Sequence, residues 1–558
     1  DFDYGDEDIL SRHAKVSRRG GAVALVVGKA VYKTIVVPPL KTVRASTLRL
    51  LKRFKDAGGT VVMTGRPPDY VDAIRSTAAV DFAADCITAP ARGDALAEAV
   101  EQSCRRVSIT NGDGREIAAA LHLLREDKDA FYLFVCNVGH DFRGHVHDIA
   151  IRDRTAQFED VRIRGFAECK GNPIELDAPT GRRFRATATR VRDQWEIRTT
   201  LPTLGSRLFI VPRKKSRKSL PRRDGLHDVR VRQLNDERWQ ICLSECNNLV
   251  LDRPRCRIGA GNWRKDEEIL RLDRRVRDKL GIPWRGGMMV QPWVRLRQGF
   301  VGQARAKQLA PDRLPLELSY SFDVTAIPSG DLFLGIERPE LYRIRINGVS
   351  VSTDTDCGWW TDKSLRKVPV EPSLLRAGRN ELTLHCDYDV NHPGLELVYL
   401  LGSFGVNVRG RRVTVTAMPA SLALGNWVKQ GLAFYSGSVS YQKTIRPRVR
   451  RGERLFVQVS GFDGTAVRVI VDGQLAGVIA WAPHEVEITD LLADGGSTLA
   501  IQVVGHRRNS HGPLHLNEKQ PWAIGPNEFM TTDKRWNDNY QLVPLGLTAP
   551  PCLVTRKG

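Results

Sequence analysis

The chain has 558 residues, with 85 Lys and Arg against 64 Asp and Glu and a formal net charge of +21 at pH 7. This length supplies cores for roughly three to five domains, and no apolar run approaches the roughly 20 residues that a membrane-spanning helix needs. The positive charge raises nucleic acid as a partner. However, the excess is Arg spread along the chain, apart from one dense run at 213–223 (Arg-Lys-Lys-Ser-Arg-Lys-Ser-Leu-Pro-Arg-Arg). No aromatic residue interleaves with that run, so it reads as a solvated linker, and neither nucleic acid nor a membrane is an expected partner.

The sequence opens at Asp1 with no initiator Met, signal or transit peptide, and is expected to be a fragment or processed product. Its ten cysteines form no Cys-x-x-Cys pair, and Cys242, Cys246 and Cys256 lack the spacing and His partners of a zinc site. Scattered thiols favour a reducing compartment, with location otherwise unassigned.

Residues 1–128 alternate strand and helix signals. Apolar runs at 22–27, 34–39 and 60–65 read as strands, and 46–57 reads as a helix closed by Gly58-Gly59. A helix at 95–104, a strand at 106–109 and a second helix at 116–125 follow. Buried strands between amphipathic helices imply a parallel sheet covered on both faces. The unit has no Gly-x-Gly-x-x-Gly, no Walker loop and no nucleophile elbow, so no catalytic role is expected of it.

Residues 129–212 switch to short strands with regular turn signals, the mark of a small antiparallel sandwich. His140, His145 and His147 lie close together there, near Asp141 and Asp148, and read as loop histidines rather than metal ligands. A basic linker at 213–225 follows, then a jelly roll with a helical insertion at 226–410 and a C-terminal jelly roll at 411–558. Residues 239–250 read as one strand and 266–280 as a helix ended by Gly281 and Pro283. Residues 315–410 and 439–505 repeat one plan. Each carries a tight hairpin, at Ile346-Asn-Gly-Val349 and Val471-Asp-Gly-Gln474. In each, a strand, a short helical turn, a Gly and a final apolar strand follow, so tandem β-sandwiches are expected.

The second copy is entered through residues 427–441, with aromatics at Trp427, Phe434, Tyr435 and Tyr441 and glycines at 431 and 437. Aromatic faces could stack on a sugar ring; the plain alternative is a core plug. The tail at 505–540 is rich in Arg, Asn, His and Trp, the groups that grip vicinal hydroxyls beside an aromatic platform. Candidate carbohydrate-binding residues are Trp427, Tyr435, Trp481, Arg508, Asn509, His511 and His515, with Trp359, Trp360 and Asp362 in the preceding sandwich.

The segments Phe2-Asp-Tyr-Gly-Asp-Glu-Asp8, 32–39, Gly58-Gly59, Asn247-Asn-Leu-Val-Leu-Asp252, Gln291-Pro-Trp293, Gly358-Trp-Trp-Thr-Asp362, Leu400-Leu-Gly-Ser-Phe-Gly405, 431–441 and Arg508-Asn-Ser-His-Gly-Pro513 occur in this order. Together the chain resembles the C-terminal part of bacterial glycoside hydrolases of the family-106 α-L-rhamnosidase type and, in its sandwiches, family-2 enzymes. The resemblance implies a non-catalytic amidotransferase-like α/β domain followed by galactose-binding-like sandwiches, with the catalytic barrel upstream. It implies an oligo- or polysaccharide partner and allows a calcium ion, without naming ligands. No catalytic residue transfers: Glu245 sits in a sandwich strand and is not taken as an acid. The expected function is the accessory half of a glycoside hydrolase, and the alternative is a stand-alone carbohydrate-binding protein.

Overall fold

The structure is a computed structural model that describes residues 2–19, 22–139, 156–178, 180–215, 219–221, 226–235, 237–282, 284–285, 313–518, 521, 524–529 and 531–558. The clustered histidines at 140, 145 and 147, the Gln291-Pro-Trp293 motif and part of the basic run lie outside these residues. The described residues divide into two units, one up to 223 and one from 224 onward.

In the first unit, helix Glu7–His13 is capped by Asp6, whose carboxylate accepts from the Asp8 and Ile9 amides at 3.0 and 2.9 Å. Strands Thr34–Val37, Thr60–Thr64 and Ile87–Ala89 form a parallel sheet. Helix Ala45–Asp56 buries Leu48, Leu51 and Phe54. A Cβ on Gly59 would stand 2.5 Å from the Phe54 ring, so the chain leaves this helix through a position open only to glycine.

The expected helix at 116–125 is instead strand Ala120–Glu126, paired antiparallel with Ala130–Asn137. Its Ala, Leu and Arg residues are good helix formers, but pairing against a strand that buries Phe131, Leu133 and Val135 overrides that propensity. Strand Val107–Thr110 likewise pairs with Phe158–Gly165. The antiparallel sandwich therefore begins near residue 107, not 129, with a four-stranded and a five-stranded sheet closing on Val161, Ile163, Ile197 and Phe209. Arg213, expected in a solvated linker, instead closes this sandwich. It pairs with Glu126 at 2.7 Å and Glu168 at 2.9 Å, and its guanidinium lies 4.4 Å from the Phe131 ring centre.

The second unit contains two sandwiches that repeat one topology. In the first, Val349–Val351, Arg343–Ile346, Gly378–Asp389 and Arg313–Val324 lie side by side; in the second, Gln474–Ile479, Ala466–Val471, Ser497–Val504 and Val439–Ile445 take the same order. Both hairpins turn on residues of positive φ, Asn347 (49°) with Gly348 (85°) and Asp472 (47°) with Gly473 (83°), the backbone that a two-residue type I′ turn demands. A 3-10 turn precedes the long inner strand in each, at Pro372–Leu374 and Thr489–Leu491.

Strand pairing divides the chain differently from the expected 226–410 and 411–558. Strand His227–Gln233 pairs with the C-terminal strand Cys552–Lys557, and Trp239–Leu243 pairs with Val439–Ile445, so both belong to the second sandwich. Asn247–Leu251 pairs with Val398–Gly402 in the first. The single strand expected at 239–250 is thus two strands in two sandwiches, and residues 244–246 cross between them. Helix Ile269–Leu280 packs into the first core through Ile269, Leu272, Val276 and Leu280. It is capped by Glu268 and ends at Gly281 with φ 60°.

Candidate functional site

The crossing at 244–246 builds the site. Tyr435 is wholly buried, and its hydroxyl accepts from the Ser244 amide at 3.0 Å and donates to the Ser438 carbonyl at 2.9 Å. A Cβ on Gly437 would stand 2.5 Å from the Tyr435 hydroxyl and 2.7 Å from Glu245 Cγ, and one on Gly505 would stand 2.3 Å from the Gly437 carbonyl. These approaches hold the crossing and the 505–511 loop together. Glu245 then meets Arg507 in a forked pair, Nη1 on Oε1 and Nη2 on Oε2 at 2.7 Å. The Arg507 guanidinium lies 5.9 Å from the Trp360 ring centre. Sequence reading weighed Glu245 only as an acid and passed over Arg507; the forked pair links residues 262 apart, a distance no local signal spans.

Trp360 comes from strand Trp359–Trp360, which turns back on Asp362–Val370. Thr361 at the turn has φ 63°, a region β-branched residues rarely adopt. The turn leaves Trp360 buried, and Trp359 is 49% exposed. His511, on the short helix Arg508–His511, lies 5.1 Å from the Trp360 ring and stacks on Tyr399 at 5.3 Å and 22°. The Tyr399 hydroxyl donates to the Ser510 carbonyl at 3.1 Å. His511 Nδ1 meets Ser510 Oγ at 2.7 Å.

Burial first, and then the Arg507 charge, push His511 down to about 4, with nearby Asp362 opposing, so the ring is neutral at pH 7. Asp362 itself is exposed, and the Ser364 amide and hydroxyl hold its carboxyl below the usual range. Four buried polar atoms of this cluster have no hydrogen-bond partner among the described residues: Trp360 Nε1, His511 Nε2, and Arg508 Nε and Nη2. Such atoms ordinarily find a partner, because an unmet buried donor costs about 1–3 kcal/mol. Trp360, Tyr399 and His511 thus form a buried ring cluster with unpartnered polar atoms, and the exposed Trp359 and Asp362 flank Trp360 in the chain.

The other candidates fall elsewhere. Trp427 and Tyr435 are wholly buried in the second core, so neither face is open for stacking, and the core-plug alternative describes them. Asn509 is buried and clamps residue 543 through both amide atoms, at 2.8 and 2.9 Å. Trp481 is 56% exposed in the second sandwich, and no described hydrogen bond or ring contact joins it to the ring cluster.

His515 is also spoken for. It stacks on Trp536 at 4.9 Å, and its ring nitrogens meet the Asn537 carbonyl at 2.9 Å and Asp252 at 2.8 Å. Asp252 accepts from the Tyr540 hydroxyl at 2.5 Å as well. The tail is thus pinned to the first sandwich rather than to its own. No group of three or more His, Cys, Asp or Glu that could hold a metal ion occurs among the described residues.

The pinned tail carries a pH prediction. Burial, then the Asp252 charge, raise Glu268 to about 7. Burial opposes protonation of His515, but the Asp252 hydrogen bond and charge prevail and raise it. Stability contributed by His515 is full below its unfolded value of about 6.5 and is lost as pH rises through the higher folded value. For Glu268 the folded state also holds the proton more tightly, so stability falls as pH rises from about 4.5 to about 7. Stability is therefore expected to fall as pH rises from about 5 through about 7, and Glu268→Gln is expected to flatten the decline. Chemical unfolding across that range checks this; a wild-type and Glu268→Gln pair with parallel profiles would contradict it.

No protein-family model matches the sequence, and no curated protein matches it. Solved structures similar to the chain include glycoside hydrolases. A rhamnosidase from Novosphingobium sp. PP1Y is 12% identical with TM-score 0.48, over 99% of this chain and 36% of that one. A family-2 glycosyl hydrolase from Bacteroides cellulosilyticus is 10% identical with TM-score 0.17, over 46% and 32%. A β-glycosidase from Bacteroides vulgatus is 14% identical with TM-score 0.16, over 47% and 29%. The chain thus spans about a third of the length of each.

Proposed function

We propose that this chain holds glycan for a glycoside hydrolase, as the non-catalytic partner of a barrel that carries the catalytic carboxylates, with α-L-rhamnosides the substrate class. The observation that carries the reading is the cluster itself. Trp360, Tyr399 and His511 pack ring on ring, with Trp360 Nε1 and His511 Nε2 unpartnered among the described residues, and Trp359 and Asp362 are exposed next to Trp360 in the chain. The ordered motifs that resemble family-106 rhamnosidases support the substrate class and the amidotransferase-like reading of the first unit. Glu245 serves in this arrangement as a positioning residue, holding Arg507 beside the Trp360 ring.

Titration of this chain with rhamnose-containing oligosaccharides, followed by tryptophan fluorescence, tests the proposal. Saturable binding is expected, with His511→Ala and Trp359→Ala each weakening it about tenfold, or about 1.4 kcal/mol. Trp359 is exposed, so its replacement leaves the fold intact and separates binding from stability. Unchanged affinity in both variants would overturn the site. Hydrolysis of aryl rhamnosides only when a catalytic glycosidase barrel is joined to this chain would support the accessory role. Hydrolysis by this chain alone would overturn it, and binding with no hydrolysis by either would favour a stand-alone carbohydrate-binding protein.

A further inference from the structure

The first sandwich has a break in one of its sheets. Strand Arg313–Val324 is paired along one edge throughout by Gly378–Asp389. Along its other edge, Arg255–Ile258 covers only residues 316–319, and Arg412–Thr416 covers only 323–324. Among the described residues, 320–322 have no strand beside them there. A cavity of about 190 Å³ opens at this gap, lined by Ser319–Ser321 and by Arg253, Arg255, Arg379 and Arg411. That is far more than one or two waters occupy, and suits a body the size of a single sugar ring.

The lining has an unusual charge balance: four arginines face two carboxylates, Asp252 and Asp266. Asp252 is already committed to His515 and Tyr540. Asp266 is shared at 3.2 Å with Arg253 and 3.4 Å with Arg411. Arg255 meets Glu381 at 3.4 Å. Arg379 donates to the Ser321 hydroxyl at 3.0 Å and, among the described residues, meets no carboxylate. Tyr320 is 1% exposed, lines the same cavity, and has a hydroxyl with no hydrogen-bond partner among the described residues. A guanidinium presents a rigid fork of donors that matches a carboxylate in two-point fashion. The Ser321 hydroxyl, the Asp266 carboxylate and the uncovered strand edge offer donors and acceptors for ring hydroxyls.

We propose that this cleft is a second binding site, which takes a carboxylate-bearing sugar, a uronic acid residue, with Arg379 and Arg411 gripping the carboxylate. The anion chemistry stands on the cleft alone; that the anion is carried on a sugar rests on the carbohydrate reading above. The site shares no lining residue with the ring cluster.

Calorimetric or NMR titration of the full chain with glucuronate, galacturonate and a galacturonate trisaccharide tests it, beside glucose, galactose, rhamnose and inorganic sulfate and phosphate. Uronates are expected to bind at least tenfold more tightly than the matching neutral sugars. Arg379→Met and Arg411→Met are each expected to remove at least tenfold of that affinity, and Arg379→Lys to restore only part of it, because a point charge lacks the fork. Both arginines are exposed, so the variants keep the fold. Equal affinity for uronates and neutral sugars, or uronate binding indifferent to both variants, would overturn the proposal. Binding of sulfate or phosphate without preference for uronate would overturn the sugar and leave only an anion site. Uronate binding lost in His511→Ala and Trp359→Ala but kept in the arginine variants would assign it to the ring cluster instead. Loss of binding at the ring cluster with the cleft intact would count against the accessory-glycan reading and not against the cleft.

Discussion

Replacing Asp273 by alanine is expected to cost about 3–5 kcal/mol, the price of leaving buried partners of an ion pair uncompensated. Asp273 is 2% exposed and serves four groups from four parts of the first sandwich. Arg277 and Arg285 donate to Oδ2 at 2.8 and 3.0 Å; the Tyr388 hydroxyl and the Leu395 amide donate to Oδ1 at 2.6 and 2.8 Å. Burial works against the carboxylate, but the Arg285 and Arg277 charges with the two Oδ1 donors outweigh it and hold the group below its ordinary value. Its contribution is therefore present above the unfolded pKa and lost as pH falls through the folded one. Urea unfolding at pH 7 reads the loss. Asp273→Asn, which keeps the shape but not the charge, is expected to lose less than the alanine variant. A change under about 1 kcal/mol for Asp273→Ala would show that helix Ile269–Leu280 is held by its apolar face alone.

Much of this fold was legible because its signals are local. The Asn-Gly and Asp-Gly hairpins fixed two equivalent corners, and the alternating strands around them repeat in the same order in both sandwiches. Helix Ile269–Leu280 announced itself through its apolar spacing and Gly281. What escaped is non-local. The helical composition at 116–125 gives no hint that Ala130–Asn137 will claim it as a strand. Nor does a continuous β pattern at 239–250 reveal that the chain changes sandwich in the middle.

The same contrast runs through the candidate residues. Tail residues with polar side chains were singled out by composition, but composition cannot separate His511, whose Nε2 is unmet, from His515, whose two nitrogens are both engaged. The difference lies in Asp252, far away in the sequence. Of the cleft arginines, 253 and 255 are neighbours in one segment and 379 and 411 come from two others, and nothing local in the sequence shows that the three segments meet.

Trp427→Ala is expected to remove about 3–5 kcal/mol from the second sandwich while leaving glycan affinity at the ring cluster within about twofold. The indole is fully buried among Val428, Leu432 and Tyr435, at 6.2 Å from the Tyr435 ring centre, and the residue's amide donates to the Leu545 carbonyl at 2.8 Å. Removing it leaves a cavity that the surrounding strands cannot close. Trp427→Phe is expected to lose much less, because Nε1 has no partner among the described residues and phenylalanine removes that unmet donor along with part of the volume. Unfolding midpoints combined with glycan titrations at a temperature where the variant is folded separate the two effects. A loss of glycan affinity above tenfold with stability unchanged would return Trp427 to the ligand and displace the ring cluster as the site. The expected split follows from where the indole packs: against Tyr435, which holds the crossing at 244–246, so that it reaches Trp360 only through Glu245 and Arg507.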